Sequence, residues 1–149
     1  MKITSSAFNH NSKIPQKYTC DGENINPPLS FSDVPEATKS LVLIMEDPDV
    51  SHYLRPDGMF DHWVVYNMPA ETHEIKEGTQ PPGIQGQNSR NEAKYTGPCP
   101  PDRQHRYFFK LYALDFTLDL PQNATKQMVE AKMQGHILGK SELIGLYRR

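Results

Sequence analysis

Apolar residues in this chain fall into short runs and alternations, and few of them repeat at the spacing of a helix. From Leu41 to Glu46 the sequence is almost wholly apolar, and Asp47-Pro48-Asp49 then stops it; this predicts a buried strand ended by a turn. His62 to Met68 alternates, with His62, Val64, Tyr66 and Met68 on one face and Trp63, Val65 and Asn67 on the other. Arg106 to Asp115 sets Tyr107, Phe109, Leu111 and Ala113 against Phe108, Tyr112 and Leu114, so a central strand buried on both faces is expected. Shorter strands are expected within 2–8, at Leu29–Phe31 and at Glu142–Arg148. One helix is expected near Ala124 to Met133, from the spacing of Met128, Ala131 and Met133, with a start signal at Asn123-Ala124-Thr125 and a stop at Gly135. Residues 50–59 and 69–104 read as loops, and a loop as long as the second is uncommon unless it carries function. Five to seven strands and one helix predict a mostly β protein built as an antiparallel β-sandwich.

Composition narrows this further. The 149 residues suffice for one domain, expected over 1–149, which buries roughly 70% of its unfolded surface. Thirteen prolines, against a typical frequency of about 5%, fit a loop-rich β protein better than a helix bundle. Sixteen basic and 18 acidic residues give a net charge of −2, which argues against a dedicated nucleic-acid binder. The start, Met1 to Ser6, has no apolar signal region, and the run Leu41–Met45 is far too short to cross a bilayer. With no long amphipathic helix or basic patch, stable membrane attachment is not expected. A cytoplasmic location is therefore expected, and with it Cys20 and Cys99 as reduced thiols.

Several familiar devices are absent. Gly135 to Ser141 resembles a phosphate-binding loop, but only three residues separate Gly135 from Gly139 and a helix precedes it, so the reading fails. The sequence has no Gly-x-Ser-x-Gly, Cys-x-x-Cys or His-Glu-x-x-His, and no motif implies a cofactor.

Two constellations remain. Taken alone, Asp47-Pro48-Asp49 is turn chemistry and His62 a satisfied half-buried histidine. If the strands holding 41–46 and 62–68 pair antiparallel, Asp47 and His62 lie at one end of the sheet. A carboxylate there favours a cationic ring, which can hold an anion. Gly97-Pro98-Cys99-Pro100-Pro101 is a stiff loop in which Gly97 allows a close backbone approach, and His105-Arg106-Tyr107 follows at the entrance of the central strand. Together these residues suit a small anion pocket. Rival readings are an acid/base pair of Asp47 and His62, a nucleophilic Cys99 activated by the histidines, and a metal held by Asp47, Asp49 and His62 with no fixed fourth ligand.

In their order and spacing these motifs resemble the phosphatidylethanolamine-binding protein family, also called Raf kinase inhibitor-like proteins. The likeness rests on Asp47-Pro48-Asp49, His62 before Trp63 to Met68, Gly97 to Pro101, and His105-Arg106-Tyr107. Cys20-Asp21-Gly22, Pro27-Pro28-Leu29 and the ending Gly145 to Arg148 are similar to the short bacterial and archaeal branch. The resemblance implies a Greek-key β-sandwich with one or two short helices and an anion pocket lined by Asp47, His62, Gly97, Cys99, Pro100, Pro101, His105 and Tyr107, with Tyr95 close by. It implies ligands such as phosphate or phosphoethanolamine, with backbone N–H groups and cationic histidines facing the phosphate and Asp47 taking the ammonium. It also implies a non-enzymatic regulatory role, inhibition of a protein kinase or protease through loops 50–60 and 72–104, and homodimers. Val50 and Ser51 stand where the family has Ala-Pro, Phe60 where Trp is frequent, and Arg103 where Gly is frequent, so the shape of the pocket is expected to differ.

Overall fold

The computed structural model describes residues 1–149. Its strands are β1 (Lys2–Thr4), β2 (Ser12–Lys13), β3 (Leu29–Ser32), β4 (Ser40–Asp47), β5 (Phe60–Pro69), β6 (Glu74–Ile75), β7 (Ile84–Gln85), β8 (His105–Leu114) and β9 (Ile137–Tyr147), with one helix, α1 (Lys126–Met133), before the last. A small sheet ordered β1-β3-β6 faces a large sheet ordered β2-β9-β8-β4-β5-β7. The chain crosses between the sheets as a Greek-key β-sandwich, and α1 packs on the outer face of the large sheet. All ladders are antiparallel except the two-residue pairing of β2 with β9.

The expected apolar strand is β4, and each of its eight residues is buried. Alternation explains how. Leu41, Leu43 and Met45 pack between the sheets with Ile3, Phe31 and Phe109, while Val42 and Ile44 face α1 through Val129 and Met133. Each such side chain withdrawn fully from water contributes about 1.5–3 kcal/mol. Only β4 is covered wholly on both sides. On β8, expected to be so, Phe108, Lys110 and Tyr112 remain half-buried, because α1 is short and reaches only part of the outer face.

Other expectations shift in detail. The first strand ends at Thr4, and the last begins at Ile137, absorbing the segment that mimicked a phosphate loop. Thr125 caps α1, its Oγ1 accepting from Met128 N, and Gly135 follows with φ +82. Strict alternation along β5 fails twice. Asn67 has φ +54 and exchanges hydrogen bonds of 2.8 Å with Leu118 in both directions, and Met68 then joins the inter-sheet core with Trp63 and Val65 rather than Val64 and Tyr66. At the other end the register slips between Met45↔Trp63 and Glu46↔Asp61, leaving His62 as the extra residue of a bulge.

Candidate anion-binding site

Because β4 runs antiparallel to both β5 and β8, its end lies beside the starts of both, with Asp47 opposite Phe60 of β5 and Glu46 opposite Phe108 of β8. Asp47, Phe60, His62, His105 and Tyr107 therefore converge at one end of the sandwich, and the loop 96–101 closes the other side. They surround a cavity of about 390 Å³. Eight of the nine expected residues line it: Asp47, His62, Gly97, Cys99, Pro100, Pro101, His105 and Tyr107. Tyr95 does not. Its hydroxyl donates to Tyr18 O at 2.7 Å and its ring stands edge-on to Trp63, so it braces the loop from behind.

The pairing of the histidines differs from expectation. Asp47 Oδ2 lies 2.6 Å from His105 Nδ1, and Asp102 Oδ1 lies 2.8 Å from His105 Nε2. Asp47 Oδ1 accepts from Asp49 N at 2.8 Å. Burial raises the Asp47 carboxyl above its ordinary range, against the lowering pull of His105. His62, freed by the bulge from the β4 register, turns instead to Thr96, and its Nδ1 donates to the carbonyl at 2.7 Å. Burial drives the His62 pKa down to about 4, only partly offset by that bond. The ring is thus neutral at pH 7, not the expected cation. Since a carbonyl only accepts, the hydrogen sits on Nδ1 and Nε2 carries a lone pair. The Asp47/His62 acid/base pair is not formed.

The Tyr107 ring lies between the two imidazoles, with centroids 5.3 Å from His62 and 6.4 Å from His105. Its hydroxyl is buried without a hydrogen-bond partner in the protein, and burial raises its pKa, so the proton stays on.

Cys99 and Cys20 form a disulfide. This overturns the expectation of reduced thiols and removes Cys99 as a nucleophile. The two residues meet because the 96–99 segment lies against 18–24: Cys20 N donates to Pro98 O, and Gly97 N donates to Asn24 Oδ1 at 2.7 Å. A Cβ on Gly97 would run into the Tyr18 carbonyl and Asn24 Oδ1, so only glycine fits there. The Gly97 amide is therefore committed to Asn24. Among Pro98 to Pro101 only Cys99 has an N–H, and it makes no hydrogen bond within the protein.

Asp49 belongs to the frame rather than to a metal site. Its carboxylate takes a two-pronged contact from Arg106 at 2.9 and 2.8 Å, which lowers its pKa, while Arg103 donates to its carbonyl. Arg103 thus latches the 49–50 turn to the 101–105 loop. With Asp47 turned to His105 and Asp49 to Arg106, no group of His, Cys, Asp and Glu gathers to hold a metal.

Several participants escaped the sequence reading. Leu54, Arg55, Arg90 and Thr96 also line the cavity, beside Val50 and Phe60, whose departures from the family pattern were expected to shape it, and Arg55 lies over the Phe60 ring. Asp102, three residues before His105, left a usable spacing signal. Thr96 acts through its carbonyl and left none. Below the floor of the site, Lys126 is buried with its Nζ 2.9 Å from Asp61 and 3.7 Å from Glu46, tying α1 to β4 and β5.

Comparison with known proteins places this geometry among relatives. The family model for phosphatidylethanolamine-binding protein matches residues 4–148. A UPF0098 protein of Chlamydia trachomatis is 48% identical over 149 residues, covering 100% of this chain and 99% of its own. One from Methanothermobacter thermautotrophicus is 48% identical over 155 residues, with 100% and 99% covered. Among solved structures, a putative phosphatidylethanolamine-binding protein homologue from Chlamydia trachomatis superposes with a TM-score of 0.97 at 48% identity, covering 99% of this chain and 97% of that one. Escherichia coli YbcL, described as a new member of the mammalian PEBP family, gives 0.89 at 27% identity, with 99% and 98% covered.

Proposed function

The chain belongs to the phosphatidylethanolamine-binding protein family, and from that premise we propose that it binds a small phosphorylated group in its end cavity as a regulatory protein, without turning it over. The observation that carries this reading is the Tyr107 hydroxyl, buried in the cavity wall with no protein partner. A buried hydroxyl of that kind calls for a ligand atom. The cavity is also lined by Cys99, whose N–H is a second free donor, by His62, whose Nε2 is an acceptor, and by Arg55 and Arg90 as sources of positive charge.

An acceptor beside donors favours a phosphate that keeps one proton. Phosphate monoesters lose their second proton near pH 6, whereas His62, at about 4, stays neutral from pH 6 to 8. Binding is therefore expected to strengthen from pH 8 to 6 through the ligand and not through the histidine. NMR titration with inorganic phosphate and O-phosphoethanolamine tests this. Saturable shifts at Gly97, Cys99 and Tyr107 are expected, weakened roughly tenfold in Tyr107→Phe and reduced in His62→Ala. No shift at those positions overturns the proposal.

A second reading is favoured by the turn at 51–54. Tyr53 is 95% exposed and Leu54 58% exposed. The turn that carries them is braced by Leu54 N donating to Ser51 O and Tyr53 N donating to Ser51 Oγ. In this reading the rim enters the active site of a protein kinase or protease and inhibits it. Tyr53→Ala would then abolish inhibition while leaving the phosphate titration unchanged. No helix is long and apolar enough to cross a membrane.

A further inference from the structure

Asp47 is the only acidic residue among those lining the end cavity, and both of its oxygens are engaged. Oδ2 lies 2.6 Å from His105 Nδ1, and Oδ1 accepts from Asp49 N at 2.8 Å. The neighbouring acids are engaged as well, Asp102 with His105 Nε2 and Asp49 with Arg106. Aromatic faces offer a cation no alternative. The Arg55 guanidinium lies over the Phe60 ring, 5.4 Å from its centroid, and its Nε donates to Met59 O at 2.7 Å. The Tyr107 ring is buried between the two imidazoles. Arg55 and Arg90 are the other charged side chains of the lining, and Glu92 approaches Arg90 Nε only to 3.8 Å. Much of what remains is apolar: Val50, Leu54 and Phe60, with Pro100 and Pro101 on the 96–101 loop. Leu54 is 58% exposed, so this apolar lining continues to the surface. A cavity of about 390 Å³ lies in the range of small organic ligands and is roomier than a lone phosphoryl group needs.

We propose that the cavity selects phosphate monoesters with an uncharged, apolar substituent and discriminates against those that carry an ammonium, the ethanolamine head group included. This selectivity rests on phosphate binding at Tyr107 and names what the phosphate is attached to. With the phosphoryl group at the Tyr107 hydroxyl and the Cys99 N–H, the substituent lies against Val50, Leu54 and Phe60. An alkyl group there leaves water for apolar contact, and each methylene buried adds affinity. An ammonium in the same place gives up hydration and finds no free carboxylate, while two guanidinium groups repel it. Asp47, to which the family resemblance gives the ammonium, is already held by His105. Discrimination therefore has a repulsive element as well as an attractive one.

The esters n-propyl phosphate and O-phosphoethanolamine differ only in a terminal methyl against a terminal ammonium. At pH 5 each keeps one phosphate proton, since the second is lost near pH 6, so the comparison isolates the substituent. NMR titration of the whole chain with both esters and with inorganic phosphate measures the preference. Propyl phosphate is expected to bind about tenfold more tightly than O-phosphoethanolamine, and more tightly than inorganic phosphate. Leu54→Asp places a carboxylate in the lining at an exposed position that spares the core, and it is expected to reverse the order of the two esters. Arg55→Gln, which removes the cation over Phe60, is expected to narrow the gap. O-phosphoethanolamine binding as tightly as propyl phosphate, while inorganic phosphate still binds, overturns the selectivity and leaves the phosphate site standing. If none of the three binds, both fall together. A preference that neither variant moves does not come from this lining, and it overturns the proposal too.

Discussion

Asp47 Oδ2 lies 2.6 Å from His105 Nδ1, and neither side chain reaches solvent. The contact spans the seam between β4 and β8 where the end cavity begins. Truncating the imidazole leaves a buried carboxylate with one backbone N–H for a partner. His105→Ala is expected to cost about 3–5 kcal/mol in urea unfolding. Asp47→Asn in that background is expected to recover part of the loss, whereas a simple sum of the two single effects would mean the groups are not coupled.

The buried His62 makes stability depend on acid. Its folded ring takes a proton only near pH 4, while the unfolded ring does so near the ordinary value of about 6.5. Between those limits the unfolded state binds more protons, so this contribution is present above pH 6.5 and is lost as pH falls toward 4. The loss is expected to be roughly 3 kcal/mol. Thermal melts at intervals from pH 7 to 4 measure it, and His62→Gln is expected to flatten the profile across that window.

The Cys20–Cys99 bond closes a long loop, with a sequence separation of 79. Loop-closure entropy assigns such a link about 4 kcal/mol. Cys20→Ser with Cys99→Ser is expected to lower the urea midpoint accordingly and to weaken phosphate binding, because Cys99 lines the cavity. A reductant acting on the wild type is expected to reproduce both effects.

Lys126 is a buried cation between two buried acids. Lys126→Met keeps the apolar stem but strands Asp61, and it is expected to destabilise the fold by about 3–5 kcal/mol. Adding Asp61→Asn is expected to restore part of that in the same unfolding assay.

Local pattern carried the sequence reading a long way. The apolar run of β4, the Thr125 helix start and the ordered motifs around Asp47, Gly97 and His105 were legible because each depends on near neighbours. What was not legible depends on register. One inserted residue at His62 exchanges its partner from Asp47 to Thr96 and with it the charge of the ring. The pairing of Cys20 with Cys99 follows from Gly97 lying against Tyr18 and Asn24, a contact with no periodic trace. Lys126 sat unremarked in a helix whose inward face was read from Met128, Ala131 and Met133; Met128 proves exposed, while the first-turn lysine points in to meet Asp61.

The disulfide has a consequence for how the protein survives damage. Residues 20 to 99 form a covalent ring that contains β3 to β7, including the long irregular stretch where a protease would first find a foothold. A single nick inside that ring opens it without releasing a fragment. The nicked molecule would run as one band on a gel without reductant and as two with it, its cavity walls still tethered to each other.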